Sequence, residues 1–213
     1  DFMAGKDSGQ NVFMLTSFNP GSGKSFLAMN IAMSFAIKKK RILVIDGDLR
    51  HGSTSSYVDS PKTGLSDYLG NRVSDWKEII VKDEKYDNLH IIPIGTVPPN
   101  PTELLEDGKL ATLIEVLRSE YDYIFIDCPP IDIVADAQII EKLADRTVFV
   151  VRSGLLDRSM LPELENIYQE KRFKNLSVIL NGTESAGGRY GYRYGYRNGY
   201  SSYYGNKGKM GGG

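Results

Sequence analysis

Residues 12–25 read V-F-M-L-T-S-F-N-P-G-S-G-K-S, and this stretch decides the fold. A short apolar run is followed by glycines, a lysine and a serine that lead into a helical pattern. Glycines let backbone N–H groups turn inward around phosphate oxygens, and the N-terminus of the following helix adds partial positive charge. Lys24 can then reach the terminal phosphates, and the Ser25 hydroxyl can bind Mg²⁺. The stretch therefore predicts a phosphate-binding loop between a strand and a helix.

The loop departs from the common pattern G-x-x-x-x-G-K-[ST] at one position, because Phe18 replaces the first glycine. The strand and helix that the motif requires are still indicated on either side of it. We therefore interpret the loop as an ATP site. The loop residues expected to bind the nucleotide are Pro20, Gly21, Ser22, Gly23, Lys24, Ser25 and Phe26.

Short apolar runs alternate with helical patterns over residues 12–181, which is typical of a parallel sheet with crossover helices. Nearly every position in these runs is apolar, so we expect strands that are buried on both faces. The six predicted strands are residues 12–16, 42–46, 89–94, 123–127, 147–152 and 177–181. The predicted fold class is α/β, a P-loop NTPase-like parallel sheet flanked by helices.

Carboxylates follow two of the predicted strands. Asp46 and Asp48 follow the second strand, and Asp127 follows the fourth. A parallel sheet places its ligand site at the carboxyl ends of its strands. Carboxylates there can hold a nucleotide-bound Mg²⁺, and an uncoordinated one can take a proton from a nucleophile. A lone aspartate at a strand end more often caps a turn, but three of them beside a phosphate loop favour a catalytic site.

Taken together, these residues resemble the bacterial tyrosine kinases called BY-kinases. The family has a Walker A loop with a proline before its glycines, a Walker A′ motif ending in D-x-D-x-R, a Walker B motif ending in D-x-P-P, a G-x-x-P-P-N-P-x-E-L-L segment and a C-terminal tyrosine cluster. The similar segments of this chain are residues 20–25, 42–50, 124–130, 95–105 and 190–204.

The resemblance implies roles for the polar residues of the site. Lys24 would stabilise charge on the transferring phosphoryl group, and Ser25 with Asp48 and Asp127 would hold Mg²⁺. Asp46 would accept the proton of the incoming tyrosine hydroxyl. The resemblance alone does not determine how Asp46 and Asp48 divide these roles.

Three further residues have a functional and a structural interpretation. Arg50 either neutralises phosphate or forms an exposed ion pair. Asn181 resembles the asparagine that contacts adenine in this superfamily, but an Asn-Gly turn is an equal alternative. Cys128, inside the Walker B stretch, is expected to be a buried structural thiol. Neither histidine is assigned a catalytic role.

Residues 185–213 differ in composition from the rest of the chain. They contain five basic residues and no acidic ones, which leaves 21 basic and 27 acidic residues in residues 1–184. With almost no aliphatic residues, this segment is expected to be a flexible tail beside a kinase domain of residues 1–184. By the resemblance its tyrosines are phosphate acceptors: Tyr190, Tyr192, Tyr194, Tyr196, Tyr200, Tyr203 and Tyr204.

Single-stranded nucleic acid is the alternative ligand of such a tail, since tyrosines alternate with cations in it. The acidic charge of residues 1–184 would repel a polyanion, so no nucleic acid is expected as a partner.

The resemblance implies an ATP-dependent tyrosine autokinase that acts between subunits and regulates capsular or extracellular polysaccharide synthesis and export. It implies the cytoplasmic domain of an inner-membrane protein. The expected partners are neighbouring kinase subunits, a transmembrane activator, fused or separate, and a tyrosine phosphatase. The alternative is an ATP-switched partition or localisation ATPase, but that class carries a signature lysine where this chain has Asn19.

Overall fold

The computed structural model describes residues 9–131 and 135–183. Within these residues the chain forms one seven-stranded sheet in the order β3-β4-β2-β5-β1-β6-β7. The strands are β1 (Val12–Thr16), β2 (Ile42–Asp46), β3 (Val81–Lys82), β4 (Leu89–Ile92), β5 (Tyr123–Asp127), β6 (Arg146–Arg152) and β7 (Ser177–Asn181). All neighbours are parallel except β3, which pairs antiparallel with β4. The predicted α/β class is confirmed.

Helices cover both faces of the sheet. They are α1 (Lys24–Ile37), α2 (Leu65–Leu69), α3 (Pro101–Glu106), α4 (Lys109–Glu120), α5 (Asp136–Glu141) and α6 (Leu161–Gln169), with 3₁₀ turns at Ser55–Val58, Trp76–Ile79 and Arg158–Met160. One apolar cluster joins α1 to the sheet, and a second cluster on the other face joins α3, α4, α5 and α6 to it. Buried alanines on α1, among them Ala28 and Ala32, allow this helix to pack closely on the strands.

The predicted strands agree with the structure except at the sheet edges and at two strand ends. β4 ends at Ile92 rather than at residue 94, because Pro93 has no N–H to donate to a ladder. β6 begins one residue earlier than predicted. The two-residue strand β3 was not predicted, since it is too short to display a pattern.

The prediction that every strand is buried is wrong for β7. Val178 and Leu180 are 51% and 59% exposed. β7 lies at the edge of the sheet and pairs only with β6. Its alternating burial is therefore that of an edge strand rather than of a central one.

The sheet order places the predicted site residues at one edge. β5 lies between β1 and β2. Asp127 pairs in register with Leu15 on β1 and with Asp46 on β2. The loop after β1, the loop after β2 and the end of β5 are therefore adjacent at the carboxyl edge, as expected for a ligand site in a parallel sheet.

The predicted tail and its phosphate acceptors fall outside the described residues. The proposed tail, residues 185–213, lies there with all seven of its tyrosines, so the division into domain and tail stays a prediction.

Among the helices that the structure describes, none has the length and apolar character needed to cross a bilayer.

Candidate nucleotide-binding and catalytic site

The phosphate loop forms although its first glycine is missing. The Phe18 side chain is 3% exposed and packs edge-on against Phe149, with ring centroids 4.8 Å apart. The position of the absent glycine is thus filled by an aromatic anchor in the core. Beyond it, the Ser22 hydroxyl donates to the Asn19 carbonyl over 2.7 Å and closes the loop on itself.

Gly23 and Asn181 meet at the end of the loop. Gly23 has φ +92°, a region that favours glycine, and a Cβ there would lie 2.3 Å from Asn181 Nδ2. Asn181 Nδ2 donates to the Ser22 carbonyl over 3.0 Å, and Asn181 Oδ1 accepts from Gly182 N over 2.9 Å. The Asn181 side chain therefore braces the phosphate loop against the end of β7. Its contact with adenine stays a prediction.

Lys24 lies between the loop and the carboxylates. It is the first residue of α1 and is 9% exposed, and its Nζ donates to Ser17 Oγ over 3.2 Å. Burial lowers the pKa of Lys24, whereas the nearby carboxylates of Asp127 and Asp48 raise it. The ammonium group is thus held by negative charge in a desolvated position, where it can act strongly on a phosphate.

Asp127 is almost fully buried and has one unused oxygen. Its Oδ2 accepts a hydrogen bond of 2.6 Å from Thr54 Oγ1, while Oδ1 is buried without a hydrogen-bond partner. Burial raises the pKa of Asp127, and the nearby hydroxyls of Ser25 and Thr54 and the charge of Lys24 oppose that change. A buried, unpaired carboxylate oxygen near the Ser25 hydroxyl fits a cation.

Such a cation would need ligands from outside the protein. Among the described residues, no three His, Cys, Asp or Glu side chains cluster so that they could hold a metal by themselves. Mg²⁺ is usually bound by one or two carboxylates together with phosphate oxygens and water. The Asp127 oxygen and the Ser25 hydroxyl therefore fit nucleotide-bound Mg²⁺.

Asp46 has the environment of a proton acceptor. It is fully buried, and its Oδ2 accepts from both Ser55 N and Ser55 Oγ, each over 2.7 Å. Burial raises the pKa of Asp46 to about 7, with smaller contributions from the charges of Asp127 and Asp48, while the Ser55 hydrogen bonds oppose the rise. A carboxylate with a pKa near neutrality suits general base catalysis.

Asp48 lies closer to the surface and is held differently. Its Oδ1 accepts from Arg50 N over 3.2 Å and from His51 N over 3.3 Å, as in a tight turn. His51 Nδ1 lies 3.1 Å from Asp48 Oδ2. The structure thus gives His51 a contact with a predicted site residue, although the sequence suggested no role for it.

Arg50 points to the neighbouring helices. Its Nε lies 3.2 Å from Asp136 Oδ2, and its Nη2 donates to Thr102 Oγ1 over 3.1 Å. Of its two interpretations, the ion pair is the one observed. The phosphate role of Arg50 stays a prediction. Cys128 is 1% exposed, as expected for a structural thiol.

The remaining loop residues are more accessible. Pro20 and Gly21 are exposed, and Phe26, on the first turn of α1, is 58% exposed. Arg152, at the end of β6, donates from Nη1 to the Gly21 carbonyl over 2.8 Å. The sequence did not point to Arg152, because nothing local distinguishes it from any polar residue at a strand end.

A cavity of about 820 Å³ lies away from this site. Its lining includes Gln10, Asp145, Tyr168 and Leu176. Gln10 precedes β1, Asp145 precedes β6, and Leu176 precedes β7. The cavity is therefore at the amino edge of the sheet, and no predicted site residue lines it. The polar cluster at the carboxyl edge remains the candidate site.

Comparisons with known proteins agree with this geometry. The family model AAA_31, an AAA domain, matches residues 11–155. Tyrosine-protein kinase CpsD of Streptococcus pneumoniae is 35% identical, and the match covers 93% of this chain and 84% of CpsD. EpsB of Ralstonia solanacearum is 36% identical over 88% of this chain, but the match covers only 25% of EpsB.

A solved structure with a similar fold is the kinase domain of the Escherichia coli tyrosine kinase ETK. It superimposes with a TM-score of 0.76 at 32% identity, over 88% of this chain and 72% of that one. The similarity therefore extends from sequence to fold.

Proposed function

The chain belongs to the family of bacterial tyrosine-protein kinases, and we propose that it transfers the γ-phosphate of ATP to the tyrosines of its own C-terminal cluster, between subunits. One observation carries this proposal: Lys24, Asp46 and Asp127 converge at a phosphate loop on one edge of the sheet. Phosphoryl transfer depends mainly on positioning and charge stabilisation, and these residues supply both.

Each residue then has a task in the transfer. The loop N–H groups and Lys24 bind and orient the terminal phosphates. Three residues would hold Mg²⁺: Asp127 through its unpaired Oδ1, Ser25 through its hydroxyl, and Asp48. When bound, this ion neutralises phosphate charge. Asp46 takes the proton from the tyrosine hydroxyl.

The division between Asp46 and Asp48 follows from their surroundings. Asp46 is fully buried, its pKa is raised to about 7, and both Ser55 donors fix one of its oxygens. Asp48 is 8% exposed and is close enough to Lys24 to affect that residue's pKa. These differences favour Asp46 as the base and Asp48 as a metal ligand. We also assign nucleotide contacts to Asn181 and to residues 20–26, and a phosphate contact to Arg50.

The wider role concerns polysaccharide assembly. We place the protein in the regulation of capsular or extracellular polysaccharide synthesis and export, as the cytoplasmic domain of an inner-membrane protein. EpsB is about four times longer than its match to this chain, which supports a kinase part joined to further domains. Neighbouring kinase subunits, a transmembrane activator and a tyrosine phosphatase are the proposed partners.

The test mixes two forms of the protein. One carries Lys24→Met and keeps its tail, and the other is active but truncated after residue 184. Incubation with Mg²⁺ and ATP should place phosphate on the tail of the Lys24→Met partner, at a rate that rises with concentration, as located by peptide mass spectrometry. Labelling of intact wild-type protein alone, at a concentration-independent rate per molecule, would exclude transfer between subunits. If folded Lys24→Met protein, incubated by itself, were phosphorylated to the same level as wild type, the kinase assignment would be contradicted.

A further inference from the structure

Two adjacent hydroxyl residues contact both strand-end aspartates. Thr54 Oγ1 donates to Asp127 Oδ2 over 2.6 Å, and Ser55 Oγ donates to Asp46 Oδ2 over 2.7 Å. Thr54 is fully buried and Ser55 is 2% exposed. The two carboxylates end neighbouring strands, whereas the two hydroxyls come from consecutive residues where a 3₁₀ turn begins. One short segment therefore fixes both aspartates.

The same contacts determine which carboxylate oxygens remain available. Each hydroxyl uses the Oδ2 atom of its aspartate. Asp127 Oδ1 is then buried with no hydrogen-bond partner, and Asp46 Oδ1 has a long contact of 3.3 Å from Asp48 N. Each aspartate thus has one oxygen held by the protein and one less engaged oxygen.

Ser55 is itself held by the segment that follows β4. Its Oγ accepts from Ile94 N over 2.8 Å, so its own proton is directed to Asp46. The loop before it packs against the same residue: Gly52 has φ +63°, and a Cβ there would lie 2.7 Å from Ile94 Cδ1. Ser55 consequently has little freedom to turn away from Asp46.

We propose that Thr54 and Ser55 are positioning residues for catalysis, Thr54 presenting Asp127 Oδ1 to nucleotide-bound Mg²⁺ and Ser55 presenting Asp46 Oδ1 to the acceptor tyrosine. The inference deepens the proposed function and rests on it for the role of Ser55. The role of Thr54 concerns only nucleotide and Mg²⁺ binding, so it can be tested without any phosphoryl transfer.

A purely structural role would give different results from a positioning role. Hydroxyls that only satisfy buried carboxylates would affect folding stability and leave binding and turnover of the folded protein unchanged. Positioning residues change a specific step, because a loosely held carboxylate spends less time in the productive geometry. The two variants should therefore differ from each other in the step that they impair.

The first experiment uses Thr54→Val, which keeps the shape and removes the hydroxyl. The Mg²⁺ concentration that half-saturates binding of a fluorescent ADP analogue should rise about 10-fold or more, as expected when a hydrogen bond to a charged group is lost. Thr54→Ser retains the hydroxyl, so its half-saturating Mg²⁺ concentration should lie within about 3-fold of the wild-type value. An unchanged Mg²⁺ requirement in folded Thr54→Val overturns the role of Thr54.

The second experiment uses Ser55→Ala and separates kcat from KM. Autophosphorylation kcat should fall about 10-fold or more, while KM for ATP stays within about 3-fold of wild type. Ser56→Ala is the matched control, since Ser56 is exposed and its hydroxyl contacts only the Ser53 carbonyl among the described contacts. Equal kcat values for Ser55→Ala and Ser56→Ala overturn the role of Ser55.

Thermal unfolding of every variant, in the absence of nucleotide, shows how much protein is folded at the assay temperature. Losses that disappear once rates and binding are expressed per folded molecule overturn the inference. The proposed function is judged separately on wild-type protein. If wild type forms no phosphotyrosine, that function fails, and the Thr54 binding experiment still decides its part of the inference.

Discussion

Replacing Asp46 by asparagine should make folding stability much less dependent on pH. Burial raises the pKa of this carboxyl from 3.8 to about 7. Between these two values the folded protein holds a proton on Asp46 that the unfolded chain has released. The stability associated with the neutral carboxyl is fully present below the unfolded pKa and is lost as pH rises through the folded pKa. The asparagine side chain cannot ionise, so the variant lacks this loss.

The magnitude follows from the size of the pKa change. One unit of pKa corresponds to about 1.4 kcal/mol, so Asp46 destabilises the wild type by about 1.4 kcal/mol per pH unit over this interval. Asp46 is fully buried, and solvent screening does not reduce the effect. Between pH 5 and pH 7 the stability of the variant should therefore rise relative to wild type by about 2 to 3 kcal/mol. The amide oxygen can still accept the Ser55 bonds, and the misplaced amide group costs about 1 kcal/mol at every pH.

Urea unfolding at pH 5, 6, 7 and 8 measures this difference, at constant ionic strength and without nucleotide or Mg²⁺. Asp157→Asn is the control. The Ser159 N–H lowers the pKa of that exposed carboxyl, so its contribution is lost only when pH falls below about 4. The control should stay parallel to wild type across the whole range. Parallel curves for Asp46→Asn and wild type would refute the raised pKa of Asp46.

Three further predictions concern packing, metal use and association. Gly95→Ala should lower the free energy of unfolding in urea by more than about 2 kcal/mol, because φ at Gly95 is +75° and a Cβ there would lie 2.3 Å from Gly64 N. Gly108→Ala is the control: its φ is +79°, but a Cβ there would meet open space, so the cost should be only about 1 kcal/mol. Asp48→Asn should raise the Mg²⁺ needed for nucleotide binding, whereas Asp46→Asn should lower kcat and spare binding; identical titrations and rates would show that the assigned division is wrong. Autophosphorylation should weaken association between subunits at low salt, because each phosphate adds about −1.5 to −2 to a segment that is basic in sequence, whereas residues 1–184 are acidic. Sedimentation that does not change on phosphorylation would contradict this.

Most of the fold could be predicted because its signals are local. An apolar run such as Ile42–Asp46 identifies a strand by itself, and the loop from Pro20 to Ser25 identifies its ligand by residue type and spacing. The exposure of Val178 and Leu180 could not be predicted, because an edge strand and a central strand can have equally apolar sequences. Which strand lies at the edge is a property of sheet order, and sheet order depends on the whole chain.

The candidate site divides in the same way. The sequence indicated Lys24, Asp46 and Asp127, because each belongs to a motif at the end of an apolar run. Thr54 and Arg152 were missed, since Thr54 is 73 residues from Asp127 and Arg152 is 131 residues from Gly21 in the chain. The run of hydroxyl residues at 53–56 was the available signal for Thr54, but serine and threonine are common in any loop.

The different environments of Asp46 and Asp48 depend on the single residue between them. Gly47 N donates to the Asp127 carbonyl over 2.8 Å, and a Cβ on Gly47 would lie 3.0 Å from both Ile126 Cγ2 and Ile140 Cδ1. A side chain at residue 47 would crowd these two isoleucines, so glycine suits the close passage of the chain over the end of β5. This close passage leaves Asp46 buried beside Asp127 and brings Asp48 near Lys24. Asp46 is thereby fully desolvated, whereas Asp48 keeps 8% of its surface exposed and lies near the charge of Lys24.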